Sequence, residues 1–323
     1  MSHPLHIPVM KDEVVAYSAP VQGGAFLDGT FGTGGYSRAL LAAGAARVIA
    51  IDRDPEAVAL GRVLEAEQPG RFSIFEARFS EMETVSIEAL GMGALFDGIL
   101  LDIGVSSMQL DQAERGFSFQ QEAALDMRMS RSGETAGDIV NEYAEDHLAN
   151  IIYQFGEEHK SRRVASAIVR ARAEAPIQTT TELAEIVARA LRGRRGRTHP
   201  ATKTFQALRI AVNQELDELK QAIAAAARLL KKGGRLVVVT FHSLEDRIVK
   251  DVFSGRLSRG PSVSRHMPRG GPIGELALPF EARPRGAVKP TEDECARNPR
   301  ARSAKLRCGI RTAHPATADV GGV

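Results

Sequence analysis

Three features of this sequence carry groups suited to chemistry. The first is Asp28-Gly-Thr-Phe-Gly-Thr-Gly-Gly-Tyr-Ser37, which follows the apolar Ala25-Phe26-Leu27 and precedes the helix-forming Ala39-Leu-Leu-Ala42. A glycine turn between a strand and a helix lets backbone come close to a ligand, and the free N–H groups of the next helix point at whatever is bound. Gly32, Gly34 and Gly35 make that approach possible; a tight turn without a ligand is the plain alternative. The second is Asp52, which ends the apolar run Arg47-Val-Ile-Ala-Ile-Asp52. A carboxylate there accepts hydrogen bonds from a ribose diol, so NAD or S-adenosyl-L-methionine would suit it, since both present an adenosine; otherwise it caps the next helix. The turn reads Gly-x-Gly-Gly and lacks the second spacing of the dinucleotide fingerprint. Asp28 beside it would repel a pyrophosphate but suit the ammonium end of a methionine. This favours S-adenosyl-L-methionine. No Gly-Lys-Ser/Thr occurs, so a P-loop is excluded.

The third feature is Asp102, at the end of Phe96-Asp-Gly-Ile-Leu-Leu-Asp102. Amino-group methyltransferases place a polar residue at this point to hold the target amine. Here the sequence is Asp102-Ile-Gly-Val, which differs from their Asp-Pro-Pro-Tyr. An amine conjugated to a base ring is a poor nucleophile, so the site must align it and let its proton leave. A strand-end cap is the alternative role. The two cysteines, Cys295 and Cys308, lie in the C-terminal part, away from these motifs. No thiolate is at hand for attack on carbon five of a pyrimidine, which leaves direct transfer to the amine. Two cysteines are too few for a zinc site, no histidine cluster has ligand spacing, and no metal is expected.

Alternating elements must position these groups. Strands are expected at 24–27, 47–52, 72–77 and 96–102, with helices at 37–43 and from Pro55 to about Glu67, the latter capped by Asp54. Residues 11–16 suit a short first helix. The fourth strand is apolar throughout its centre, as a buried parallel strand is. Residues 103–134 show little periodicity and read as a long functional loop. From Ala136 to about Gly193 the pattern is helical, with Ile139 to Phe155 as one helix, a second around Val164–Val169 and a third around Leu183–Leu191. Thr179-x-x-Glu182 is a candidate capping box. After the basic linker Arg192–Thr198, one long amphipathic helix is expected from Phe205 to Leu230, stopped by Lys231-Lys-Gly-Gly234. A fifth strand (235–241), a helix (245–253), a mobile stretch (254–280) and two last strands, one before Lys289 and one at 305–311, follow. The expected fold is α/β, a doubly wound sheet interrupted by an all-helical insert.

The chain has 323 residues, 43% hydrophobic and 25% charged, as in ordinary soluble domains. No run approaches the roughly 20 apolar residues of a membrane helix, and the N-terminus lacks a secretory pattern. A cytoplasmic location with reduced thiols is expected. Net charge is only +2, but residues 160–209 hold twelve Lys/Arg against three Asp/Glu, and residues 256–311 hold thirteen against five. Two basic surfaces on an acidic body suit a phosphate-rich partner.

Eight segments together resemble the RsmH (MraW) family: residues 6–14, 28–37, 100–111, 115–119, 125–129, 199–210, 241–250 and 298–307. Its members are bacterial methyltransferases that modify a cytosine N4 in small-subunit ribosomal RNA. The resemblance runs from about residue 6 to 311. It implies a Rossmann-like class I methyltransferase sheet, with cofactor-binding residues 1–110 and 205–312, an inserted RNA-recognition domain at 111–204 and a disordered tail at 313–323. It also implies a cofactor site on Gly34, Gly35, Tyr36, Asp52, Phe79, Asp102 and Gln109, with Phe79 against the adenine and Gln109 at the methionine end. Tyr36 stands where the family more often has histidine, so a backbone contact is expected there. His199, Lys203 and Arg209 are candidates for phosphate contacts, with Arg300, Arg302 and Arg307 as a second line. His242 and Ser243, ending the fifth strand, are candidates for holding a flipped cytosine, with Asp102 and His242 as the catalytic pair. Phe117 and Phe119 suit base stacking or core equally.

The implied partner is small-subunit ribosomal RNA or the small subunit itself, with no membrane; a homodimer is left open. Three rival readings remain: a DNA amino-methyltransferase, a non-enzymatic ribosome assembly factor and an NAD-dependent dehydrogenase.

Overall fold

Why the elements form where they do is clearest from burial. The computed structural model describes residues 8–192, 199–255 and 278–314. The chain opens with α1 (Lys11–Ser18) and β1 (Ala25–Asp28), then α2 (Gly35–Ala42), β2 (Arg47–Asp52) and α3 (Pro55–Glu67). Asp54 caps α3 by accepting from the Glu56 N–H, and Pro55 sits in its first turn, where a missing N–H costs nothing. Next come β3 (Phe72–Glu76), a 3₁₀ turn (Phe79–Glu81), α4 (Met82–Leu90) and β4 (Phe96–Asp102). The central residues of β2 and β4 are buried in unbroken runs, as strands covered on both faces must be. The helix α4 was not expected from sequence; at nine residues it is too short for a clear periodic pattern.

Residues 105–215 form a separate compact unit. It holds α5 (Ser107–Asp111), α6 (Ala136–Glu142), α7 (Glu145–Gly156), α8 (Ser161–Glu174), α9 (Thr180–Ala190) and α10 (Thr202–Asn213). Two expectations are corrected here. The single helix expected through Ile139–Phe155 is two, because Tyr143 and Ala144 adopt extended backbone between α6 and α7. The long helix expected from Phe205 to Leu230 is also two, since Gln214 turns left-handed (φ 53°) and ends α10. The loop at 116–134 is irregular, yet Phe117, Leu125, Met127 and Met129 are buried with the helices in one core. Asn213 fastens it, accepting from Met129 N and donating to Met127 O.

The chain then adds α11 (Glu215–Leu229), β5 (Leu230–Thr240), α12 (Ser243–Phe253), β6 (Phe280–Ala282), α13 (Glu292–Arg297) and β7 (Lys305–Arg311). The other compact unit comprises 1–104 and 216–323. Boundaries from sequence at 110/111 and 204/205 thus shift to 104/105 and 215/216, because α10 packs with the helices. Seven strands run in the order β3-β2-β1-β4-β5-β7-β6. β1 to β5 are parallel, while β7 runs antiparallel to both its neighbours. The fold is thus the expected Rossmann-like α/β class. Lys231–Gly234, expected as a helix stop, lies inside β5; Leu230 pairs with Phe96 and Arg235 with Gly98, so the intervening residues bulge out. The linker 193–198, most of the 254–280 stretch and the tail beyond 314 lie outside the described residues.

Candidate active site

In the sheet unit, the order of strands reverses at β1, which pairs with β2 on one side and β4 on the other. Loops leaving the carboxyl ends of β1 and β4 diverge there and leave a crevice. Both sequence motifs end at it. The turn after β1 needs its glycines. Gly34 has φ 81°, and a Cβ on it would lie 2.6 Å from the Phe31 ring. At Gly35 a Cβ would collide with the Pro8 ring.

Asp28 is fully buried and its carboxylate is committed internally, accepting from Ser37 Oγ (2.7 Å) and Thr30 N (3.2 Å). Those two bonds brace the turn. Burial pushes its pKa up, and those hydrogen bonds hold it partly down. Asp52 accepts from Gly32 N (2.7 Å) and Asp54 N (2.9 Å). One carboxylate thus ties the end of β2 to the glycine turn; burial raises it to about 6, against the pull of those two backbone bonds. The oxygens of a carboxylate offer about four lone pairs, so capacity is left for a diol.

Asp102 is anchored through its backbone: its N–H donates to Thr30 Oγ1 (2.7 Å). Its Oδ1 is buried and has no hydrogen-bond partner among the described residues. Burial is the main cause that lifts its carboxyl to about 7; Asp28 and Glu245 add like-charge repulsion, and a hydrogen bond with Tyr36 works the other way. The buried Tyr36 hydroxyl, near Asp102, donates to Val9 O. Burial first, then Asp102, keeps its phenol well above its ordinary pKa. Phe79 begins the 3₁₀ turn after β3, half-buried, with its Cβ 3.3 Å from where a Cβ on Gly29 would stand.

The sequence profile of the MraW methylase family matches residues 3–312. The chain belongs to that family. Proteins named ribosomal RNA small subunit methyltransferase H are close in sequence. One from Methylocella silvestris is 57% identical over 313 residues, covering 97% of this chain and 89% of that protein. One from Azorhizobium caulinodans is 57% identical over 315 residues, with 97% and 89% covered. One from Paramagnetospirillum magneticum is 54% identical over 316 residues, with 98% of each covered. This MraW family member is therefore a methyltransferase.

The remaining expected site residues fall less simply. His242 is the N-cap of α12: Nδ1 accepts from Glu245 N, while Nε2 stands 2.9 Å from Glu245 Oε1. Only Nδ1 is engaged in the cap; Nε2 is buried without a hydrogen-bond partner among the described residues. Ser243 is the exposed first residue of α12. Arg307 is spent on Asp246 (2.7 Å), together with Lys305. Arg302 is exposed and has no partner among the described residues. Sequence reasoning missed Glu218, which is buried on α11 and receives Arg53 (2.8 Å) and Arg78 (2.9 Å) on the same oxygen. These arginines adjoin Asp52 and Phe79, so one carboxylate pins both loops. Thr30 was also missed, although its hydroxyl lies within the glycine motif.

In the helical unit, Gln109 completes the cap of α5: its Oε1 accepts from Ser106 N (3.1 Å). Arg209 makes a bidentate pair with Glu215, both bonds 2.8 Å, and both side chains are largely buried. Its charge is neutralised, which corrects the phosphate-contact reading. Lys203 Nζ donates to Glu157 O, and His199 Nδ1 accepts from Ala201 N while its ring packs on Phe119. Phe119 also meets Phe205 edge-on, and Phe117 is buried, so both rings belong to the core.

Proposed function

We propose that this methyltransferase uses S-adenosyl-L-methionine to methylate the exocyclic N4 amine of a cytidine in small-subunit (16S) ribosomal RNA. The observation that carries it is Asp102 Oδ1, buried and unpartnered at the switch point, in a chain of the MraW methylase family. A buried polar atom without a partner costs on the order of 1–3 kcal/mol, so a ligand N–H aimed at Asp102 recovers that penalty. The named relatives, more than half identical to this chain, support the RNA assignment.

The residues present fit the cofactor. Asp52 has acceptor capacity for the ribose hydroxyls, the glycine turn lets backbone approach the methionine portion, and Phe79 offers a flat apolar wall for the adenine. Bound S-adenosyl-L-methionine supplies an activated methyl group on a positively charged sulfur. The protein's own work is to hold the amine. Asp102 accepts one amine N–H, orients the nitrogen lone pair and receives the proton released on transfer. A carboxyl near 7 is matched to that task at neutral pH. The helical unit is assigned to RNA recognition, and a cytoplasmic site of action follows from the substrate. No helix among the described residues is long and apolar enough to cross a membrane.

Mass-spectrometric mapping of ribosomal RNA nucleosides from a strain lacking this protein tests the proposal. Loss of N4-methylcytidine, restored by the wild type and not by Asp102→Ala, is expected. An unchanged nucleoside profile, or activity on duplex DNA alone, would overturn it.

A further inference from the structure

We propose that the helical unit carries a binding cleft for an unpaired, single-stranded stretch of RNA, built on Tyr153, His159, Lys160, Arg162 and Arg163. It rests on the RNA-substrate reading above and deepens it, because none of these residues was a candidate from sequence. The cleft lies where α7 ends and α8 begins, holds about 500 Å³ and is also lined by Asn150. That volume falls in the range of about 300–1,000 Å³ typical of ligand sites.

Its aromatic and basic side chains are not used by the core of the fold. On α7 the core is made by Leu148, Ile151 and Ile152, all buried, whereas Tyr153 is 54% exposed. Its ring meets that of His159 edge-on, with centroids 6.3 Å apart. The two rings make an aromatic corner on the surface. Beside it, Lys160, Arg162 and Arg163 are exposed, and their side chains have no hydrogen bond or ion pair among the described residues.

Several other basic residues of this unit are occupied. Arg172, on the same helix, donates to Val140 O and Tyr143 O. Arg170 donates to Ser166, Lys203 to Glu157 O, and Arg209 is paired with Glu215. Glu158, one residue before His159, is buried and accepts from Lys160 N. Three uncompensated cations within four residues repel one another until an anion joins them.

An aromatic platform flanked by uncompensated cations matches one chemistry well. A base stacks on the ring while phosphates of the same strand meet the cations. A duplex hides its base faces and would use only the charges. An acidic protein segment would likewise satisfy the charges but have no planar group for Tyr153. The Asn150 amide offers both a donor and an acceptor to a base edge.

The test uses the full-length protein and a short fluorescent single-stranded RNA of mixed sequence, with its duplex as comparison. Arg162→Ala/Arg163→Ala is expected to weaken single-strand binding about tenfold and to flatten the slope of log K against log salt by about 1.4, roughly 0.7 per lost phosphate contact. Tyr153→Ala is expected to weaken it about tenfold through lost stacking, and Tyr153→Phe to restore binding. The duplex is expected to respond to the arginines alone. Calorimetric affinity for S-adenosyl-L-methionine, unchanged in each variant, shows that they fold. Variants that bind single-stranded RNA like the wild type overturn the cleft, as does equal loss for duplex and single strand with no effect at Tyr153. A wild type that methylates ribosomal RNA while the variants bind normally defeats the cleft alone. A wild type that binds RNA through these residues yet transfers no methyl group defeats the functional reading alone.

Discussion

Asp102 is where chemistry and folding pull against each other. Its backbone is fixed by Thr30 while one carboxyl oxygen is buried without a partner. Burial raises the folded-state pKa to about 7, so ionisation works against the fold. The sign follows from linkage: stability tied to the protonated carboxyl is complete below about pH 4 and is lost as pH rises through about 7. Asp102→Asn should therefore melt higher than wild type, the gap widening from about pH 4 to about pH 7 and levelling above; calorimetric melts across that range check it. The same substitution should lower kcat for methyl transfer by about 10²–10⁴. In the wild type, kcat/KM should show an acid limb near pH 7, since only the ionised carboxylate accepts the amine proton. His242 leads to the opposite expectation. Its ring caps α12, and asparagine is a good N-cap. His242→Asn should keep methyl transfer within about threefold and stability within about 1 kcal/mol; a hundredfold loss of kcat would make it catalytic after all.

Between elements, the ties that shape the crevice join residues far apart in the chain. Glu218 of α11 receives arginines from the loops after β2 and β3. Breaking a fully buried pair costs roughly 3–5 kcal/mol; the cost here is smaller, because Arg78 is partly exposed. Glu218→Gln should lower the melting temperature by several degrees and weaken S-adenosyl-L-methionine binding about tenfold, as the Asp52 and Phe79 loops loosen; calorimetry with the cofactor reads both. A second tie runs from Met10 N to Glu294 of α13, holding Pro8 and Val9 over the glycine turn. The strands and the two acids ending them were legible because a buried parallel strand announces itself in a short apolar run. The break at Gln214 was not, since apolar spacing continues across it and only a left-handed backbone angle ends the helix. The cap role of His242 was equally hidden, for it depends on Glu245 and on where α12 starts.

For the molecule as a whole, charge is nearly balanced at +2 but concentrated in two basic stretches. If three phosphates are contacted, raising salt from about 50 to about 200 mM should weaken RNA binding roughly twentyfold, and anisotropy titrations would show it; a flat response would remove electrostatics from recognition. By itself, the sequence determined the doubly wound sheet, the presence of a helical insert, the glycine turn and the positions of Asp52 and Asp102. Those features depend on apolar period and on glycines at demanding backbone angles, which are local properties of the chain. Only the tertiary structure decided which charges remain available. Arg209 is paired with Glu215 and Arg307 with Asp246, while Arg162, Arg163 and Arg302 stay open. A charge is spent or free according to what folds against it, and that partner can be tens of residues away.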